Sequence, residues 1–454
     1  MYNKFINYIQ RSFNVSILII SISGRRKWKQ KDDDVILTAI VTSLSVGATS
    51  IIEMSKSFAY NNPGKKLSRS VIENLLQQPI LPYTLRKYLK YMLKRLKKGK
   101  MISLDNVMGK TIGSVDGIEI NRKKLSPEAF IKAVTSGQVH KYSQVAVYRD
   151  SKTNAISHYE VYLRLVIICI ITKRGPMPIA WQFQESDGFN KYRVWIEKGQ
   201  SAKDHPHEAL STDAQIKQTG ELTALKQLLE GLIQDNTKLP FDILVGDGLY
   251  DKSTVIDLVE RYGSTLIAIH KSESRNLKQE AMEDFNTRRP SKVWSENKTS
   301  YEGWSKVYQD SNRSSTNKNV KILRVLRREE GKEEVDNYFY CSNRHWITPR
   351  LVEWCRHYRW IEENGFNQWT NKWKIMKHIF HNHPTALDSI IGLMFVVLIG
   401  TENFRKGNLK RGKNPWKSNL TLKEYFRRLY VGYISTNIFL IVKFFTTVEG
   451  PLIL

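Results

Sequence analysis

The apolar positions of this chain change their period at several places, and the predicted elements follow from those changes. Over residues 32–58 they recur at mixed three- and four-residue spacing, which predicts a helix that Asn61-Asn62-Pro63-Gly64 ends. A second helix is predicted over 83–100, with five of its last ten positions Lys or Arg. From Thr111 the period falls to two, and 111–120 and 142–148 alternate like strands. The run HYEVYLRLVIICIIT at 158–172 is nearly unbroken in branched apolar side chains, as a strand buried on both faces requires. A further strand is predicted at 178–183. Helix and strand then alternate: helix 221–232, strand 241–245, helix 252–262, strand 265–270.

Residues 271–345 break that rhythm. They are polar, with strand-like pieces at 292–294, 320–325 and 338–341, and predict a β-rich insertion. Helix returns over 348–380 and 386–400, and again over 422–445 beyond the basic loop RKGNLKRGKNPWK. Strands followed by alternating helix and strand imply an α/β fold with a mixed sheet and helices on its faces. The expected organisation is a helical region over 1–108, an α/β domain over 109–270, the insertion over 271–345, a closing helix of that domain over 346–385, and a basic helical region over 386–454.

Charge narrows the class of partner. Lys plus Arg number 71 against 44 for Asp plus Glu, a net charge of +27 that attracts a polyanion. Residues 61–110 hold 12 basic and 2 acidic residues, and 401–430 hold 9 and 2. The three cysteines, Cys169, Cys341 and Cys355, have no CxxC spacing, which excludes a disulfide framework or zinc ribbon and fits a reducing compartment. The longest apolar runs, 163–171 and 390–400, fall short of the ~18–20 residues of a spanning helix. The patch at 16–22 precedes Arg25, Arg26 and Lys27 without a cleavage site, so no signal peptide is expected. Nucleic acid in the cytoplasm is the expected partner, with a basic membrane-surface protein as the alternative.

Three acids stand where an acid is awkward unless used. Asp116 interrupts the strand-like SVDGIEI; its alternative is a turn aspartate before Gly117. Asp247 follows the strand PFDILVG, and an acid at the carboxyl end of a sheet strand is well placed for a site, a helix cap being the alternative. Glu363 lies four residues after Arg359 on one helical face, where an ion pair is the alternative. That face continues through Asn367, Thr370 and Lys374, whereas Glu362 heads an apolar stripe through Phe366, Trp369, Trp373, Met376 and Phe380. The polar face makes Glu363 the better candidate of the two glutamates. His378, His381 and His383 suit a helix end beside DNA or plain surface equally, and no Walker or dinucleotide glycine loop is present.

Taken in order, SVDGIEI, LVGDGLYDK and RWIEENGFNQW followed by KHIFHNH resemble bacterial insertion-sequence transposases of the Asp-Asp-Glu superfamily, over roughly residues 110–385. The segment MSKSF to LRKYL is similar to the family's N-terminal part. The chain departs from the family at its last motif, commonly Tyr-x2-Arg-x3-Glu-x6-Lys: aligned on Arg359 and Glu363, the tyrosine position is Arg356 and the lysine position Thr370, with Lys372 or Lys374 as replacements. Alignment on Ile361-Glu362 would instead make Glu362 the third acid.

The resemblance implies a ribonuclease-H-like catalytic domain with Asp116, Asp247 and Glu363 as catalytic residues and metal ligands. It implies Mg²⁺, with Mn²⁺ able to substitute, because two such ions about 3.5–4 Å apart serve phosphodiester chemistry and prefer hard oxygen ligands. It implies an enzyme that binds terminal inverted repeats, cuts there and joins the ends to target DNA, as a homodimer in the DNA complex and beside the nucleoid. Arg359, Lys372, Lys374, Lys94, Arg95, Lys97 and Lys98 are the expected DNA contacts. Trp294 and Trp304, in the insertion, are candidates for stacking on a displaced base, with a buried structural role as the alternative. Two rivals stand beside this reading: a same-fold nuclease without strand transfer, and a catalytically inactive DNA-binding descendant.

Overall fold

The apolar run of 158–172 becomes the pivot of the sheet. A computed structural model describes residues 36–37, 40–41, 43–44, 50–61, 67–98, 102, 107–172, 175–186, 220–234, 238–270, 276–367 and 381–406, with the backbone alone at 57–58, 60–61, 95, 276, 358, 360–364 and 402–406. Strand β3 (Ile156–Thr172) has its last eight residues buried. Along one edge it pairs antiparallel with β1 (Ile112–Leu125), from Gly113 opposite Ile170 to Leu125 opposite Tyr159. Two shorter strands share its other edge end to end: β2 (Ser143–Arg149) on the first half and β4 (Gly175–Phe183) on the second. Beyond β1, β5 (Ile243–Gly246) and β6 (Thr265–Ile269) run parallel to it. The order β4-β3-β1-β5-β6, antiparallel and then parallel, is a ribonuclease-H-like sheet.

The insertion continues this sheet. Strands β7 (Lys292–Glu296), β8 (Thr299–Gln309), β9 (Asn319–Glu329) and β10 (Val335–Ser342) form an antiparallel meander whose β10 pairs with β6, giving ten strands in all among the described residues. Two of its elements were not expected from the sequence. β8 buries Thr299, Tyr301, Gly303, Trp304 and Tyr308, a face with too few aliphatic residues to stand out from its polar neighbours.

Nine helices are fully bounded among the described residues: α1 (Ile51–Asn61), α2 (Arg69–Leu76), α3 (Ile80–Lys98), α4 (Pro127–Thr135), α5 (Glu221–Gln234), α6 (Ser253–Arg261), α7 (Asn276–Thr287), α8 (Pro349–Asn367) and α9 (Pro384–Lys406). The single helix expected over 32–58 is interrupted. Residue 50 is a bend, and the Ser50 hydroxyl accepts from the Glu53 amide at 3.1 Å, so α1 starts afresh there. Helix α4 was not expected; Ser126 caps it and Pro127 opens it. Helix α7 is the second unexpected element of the insertion. The helix expected over 348–380 is described to Asn367; residues 368–380 and the basic loop and helix beyond 406 lie outside the described residues.

The short strand β5 shows how the layers divide. Ile243 and Val245 pack with Leu351, Val352 and Cys355 of α8, whereas Leu244 joins the opposite face with Leu225 and Leu229 of α5 and Ile256 of α6. The same large core runs without a break into α2, α3 and α9, through Leu75, Leu85, Leu89 and Ile390.

Helix α9 corrects the reading of the run at 390–400. Its segment Pro384–Thr401 has a mean hydropathy of 1.8 and is by length and composition sufficient to cross a membrane, yet 83 % of it is buried inside the protein. The flanking charge that shortened the run, Asp388, is internal. It accepts from Trp181 Nε1 at 3.1 Å and from Arg86 Nη2 at 3.4 Å, and the Arg86 guanidinium lies 4.5 Å from the Trp181 ring centre. A Cβ on Gly392 would stand 2.8 Å from Leu85 Cδ1, so α9 and α3 cross as closely as glycine permits. Asp388→Ala leaves the buried Trp181 indole N–H without its acceptor and Arg86 without its countercharge. It is expected to lower stability by about 1–3 kcal/mol in chemical denaturation, with Asp388→Asn intermediate.

Candidate active site

The two aspartates are brought together by register. In the parallel β1–β5 ladder Ser114 stands opposite Val245, and two residues further along each chain lie Asp116, still within β1, and Asp247, just past the end of β5. Asp116 Oδ1 accepts from the Gly117 amide at 2.8 Å. Asp247 begins the turn after β5, where its Oδ1 accepts from the Leu249 amide at 2.8 Å. Neither local bond uses both carboxylate oxygens.

Arg359 reaches this end of the sheet from α8. Its Nη2 is 3.9 Å from Asp116 Oδ2, and its side chain is only 15 % exposed. Val352, Cys355 and Phe366 are buried on the same helix, and Phe366 is seven residues, or about 20°, from Arg359 around the axis. Arg359 and Phe366 therefore share the sheet-facing side, so the boundary between the adjacent polar and apolar stripes read from the sequence faces the sheet. Position 363 falls within about 40° of Arg359 by helical spacing, and position 362 about 60° on the other side. The side chains of Glu362 and Glu363 lie outside the described residues.

Burial pushes the Asp116 carboxyl up to about 6 from an ordinary 3.8; Arg359 and the Gly117 amide oppose that shift, and the nearby charges of Asp247 and Glu221 add to it. Glu221, at the start of α5, was not singled out from the sequence. An acid in the first turn of an amphipathic helix ordinarily complements the helix dipole, so nothing marked it. Here its carboxylate accepts from the buried Tyr250 hydroxyl and stands 2.8 Å from Arg164 Nη2.

Asp251, another acid of the GDGLYDK motif, is also engaged. Wholly buried, it meets Nδ1 of His270, the residue after β6, and accepts from Cys341 Sγ of β10 at 2.9 Å. The turn carrying Asp247 is thus held on one side by Tyr250 and on the other by Asp251.

Among the described residues no three His, Cys, Asp or Glu side chains form a metal-binding group. Asp116 and Asp247 supply hard oxygen donors whose mutual repulsion a divalent cation would relieve, a donor set that suits Mg²⁺ or Mn²⁺ completed by water and further oxygen.

Of the expected DNA contacts, Lys94, Lys97 and Lys98 are exposed on α3. Lys372, Lys374, His378 and the Arg95 side chain lie outside the described residues. Arg356, at the family's tyrosine position, pairs with Glu353 at 3.1 Å and stacks over Tyr338. Trp304 is buried and donates from Nε1 to the Arg288 carbonyl at 2.9 Å. Trp294 is half-buried and stacked on Tyr301, with ring centres 4.9 Å apart.

Residues 176–398 match the family model described as the transposase DDE domain, a span that includes Asp247 and Glu363 and begins after Asp116. No curated protein matches the chain.

The Asp116 environment predicts a pH effect on the metal-free protein. Its folded pKa lies above the unfolded value, so the native state holds the proton more tightly, and stability from this group is fullest below about pH 4 and falls as pH rises through about 6. In EDTA, Asp116→Asn should be more stable to unfolding than wild type above about pH 6, by about 1–3 kcal/mol, and match it near pH 4. Parallel stability curves for the two proteins would contradict this.

Proposed function

Because this chain carries a transposase DDE domain, we propose that it is the transposase of an insertion sequence. It binds the element's terminal inverted repeats, cleaves there, and joins the liberated ends to target DNA. The observation that carries the reading is the placement of Asp116 and Asp247 two residues past the last pair of the β1–β5 ladder, beside the helix that bears Arg359 and Glu363. Asp116, Asp247 and Glu363 are the residues to hold two Mg²⁺ ions, with Mn²⁺ as substitute. When bound, these ions supply activation of the attacking oxygen and neutralisation of the leaving oxygen.

The chain's own residues do the rest. Arg359 offsets the Asp116 charge in the metal-free state and orients a scissile phosphate beside it. Helix α3 supplies backbone contacts: Lys90, Lys94 and Lys97 rim a cavity of about 470 Å³ together with Lys238. With a net charge of +27, these cations draw the duplex to the site. Water is the nucleophile for nicking and the freed 3′-hydroxyl the nucleophile for joining. Two ends must meet, so the DNA complex is a homodimer, acting in the cytoplasm at the nucleoid.

Three outcomes test this reading. Asp116→Ala and Asp247→Ala should each abolish Mg²⁺-dependent cleavage of an element end while leaving its binding within a few-fold of wild type. Near-normal cutting by either removes that residue from the site. Glu363→Gln should eliminate both cleavage and strand transfer of a pre-cut end at normal stability, while Glu362→Gln keeps substantial activity; the reverse ranking moves the third acid by one position. Affinity for element ends should fall on the order of 10³-fold between about 50 and 200 mM salt, less steeply once Lys94, Lys97 and Lys98 are charge-reversed. A salt-independent Kd would contradict the role given to α3. Cleavage without joining in the same assays would mark a nuclease instead.

A further inference from the structure

Glu221 is 6 % exposed, and its carboxylate rests on the backbone of β1 immediately after Asp116. A Cβ at Gly117 would stand 2.6 Å from Glu221 Oε1 and 2.9 Å from Oε2, so only glycine admits this approach. One hydroxyl donor and one guanidinium countercharge hold the carboxylate in place. The Tyr250 hydroxyl donates to Oε1 from the turn that carries Asp247, and Arg164 Nη2, on β3, stands 2.8 Å from Oε2. Tyr250 is fully buried over Gly246, whose Cβ would meet Tyr250 Cδ2 at 2.7 Å. Burial and the Glu221 charge push its phenol far above the ordinary range, so it remains a donor.

Burying a carboxylate is costly even when it is paired, and Asp116 and Asp247 add like charge nearby. Packing alone accounts poorly for an acid at this spot. A glutamine would accept from Tyr250 in the same geometry without the electrostatic cost. What Glu221 does have is contact with both halves of the site: the backbone after Asp116 on one side, and the ring three residues after Asp247 on the other.

We propose that Glu221, clasped by Tyr250 and Arg164, is a positioning residue that fixes Asp116 and Asp247 at the separation a shared divalent cation needs. Drift of β1 drives Gly117 into the carboxylate, and drift of the turn after β5 pulls Tyr250 off it. The Glu221 charge deepens the negative potential in which the cation sits. The inference rests on the metal-ion reading of the site given above.

The test is Mn²⁺ titration of the full-length protein by calorimetry, with cleavage of an element end followed against Mg²⁺ concentration. Tyr250→Phe removes the clasp's hydroxyl without changing charge, and Glu221→Gln removes the charge while keeping an acceptor. Each should weaken Mn²⁺ binding by about tenfold with the number of bound ions unchanged. The Mg²⁺ concentration for half-maximal cleavage should rise by a similar factor, while the rate at saturating Mg²⁺ stays within about threefold. Unchanged Mn²⁺ affinity in a folded Tyr250→Phe protein overturns the proposal, and that variant decides alone if Glu221→Gln fails to fold. Loss of one bound ion in Glu221→Gln also overturns it, by making Glu221 a ligand. Wild-type protein that binds Mn²⁺ through Asp116 and Asp247 yet cuts no DNA would defeat the transposase reading while leaving the clasp standing.

Discussion

In the ladder between β1 and β5, Ser114 faces Val245, and that pairing brings Asp116 and the turn that carries Asp247 side by side. Each strand lies inside the sheet, so neither can retreat from the other without breaking hydrogen bonds on both edges. Like charges held this way repel, and the surroundings can be understood as the means of keeping them there. Arg359 lies on one side of Asp116 and the Gly117 amide bonds it locally. The turn beyond Asp247 is pinned at Tyr250 and again at Asp251. Burial, with a smaller part from the neighbouring acids, nonetheless leaves the Asp116 pKa raised.

The insertion is joined to this arrangement by polar contacts as well as by strand pairing. Arg313, buried in the turn region between β8 and β9, pairs with Asp257 at 2.7 Å and with Glu260, both on α6. Ser253, the first residue of α6, donates to Asp310 at 2.7 Å. Cys341 on β10 meets Asp251 in the turn after Asp247. The meander therefore bears on the helix that follows Asp247 at both its ends. Buried pairs of this kind are costly to break singly, because the partner left behind keeps its charge without water.

Most of the sheet was legible because its strands are apolar over long stretches: β3 announces itself, and β4, β5 and β6 follow the period of two or the short buried run. β8 was not, since its inner face is built from Thr299, Tyr301, Gly303, Trp304 and Tyr308, and aromatic packing there replaces aliphatic alternation. Helix α7 hid in the polar composition of the insertion, burying Ala281 and Phe285 fully while most of its length stays wet. At the site, Asp116 and Asp247 stood out because one lies within a strand and the other at a strand's carboxyl end, where a charge needs a reason. Glu221 and Asp251 did not, because their significance lies in what crosses the sheet to meet them. Spacing along a chain carries no record of a tyrosine arriving from thirty residues away.

Helix α9 has a consequence for the order in which the chain becomes a protein. It lies after the whole α/β domain in sequence, yet it packs against α2, α3 and β4, and Ser389 donates to the Leu76 carbonyl across more than three hundred residues at 2.7 Å. Leu75, Leu85 and Leu89 gain part of their cover from a segment synthesised long after them. Contacts of such separation close slowly, because loop entropy is lost before packing rewards it. During translation the N-terminal helices would wait with an apolar face exposed until residue 400 clears the ribosome, a long window for chaperones to occupy. A chain cut short before α9 would leave that face open for good. The N-terminal helices are thus no detachable head: their fold is completed from the far end of the polypeptide.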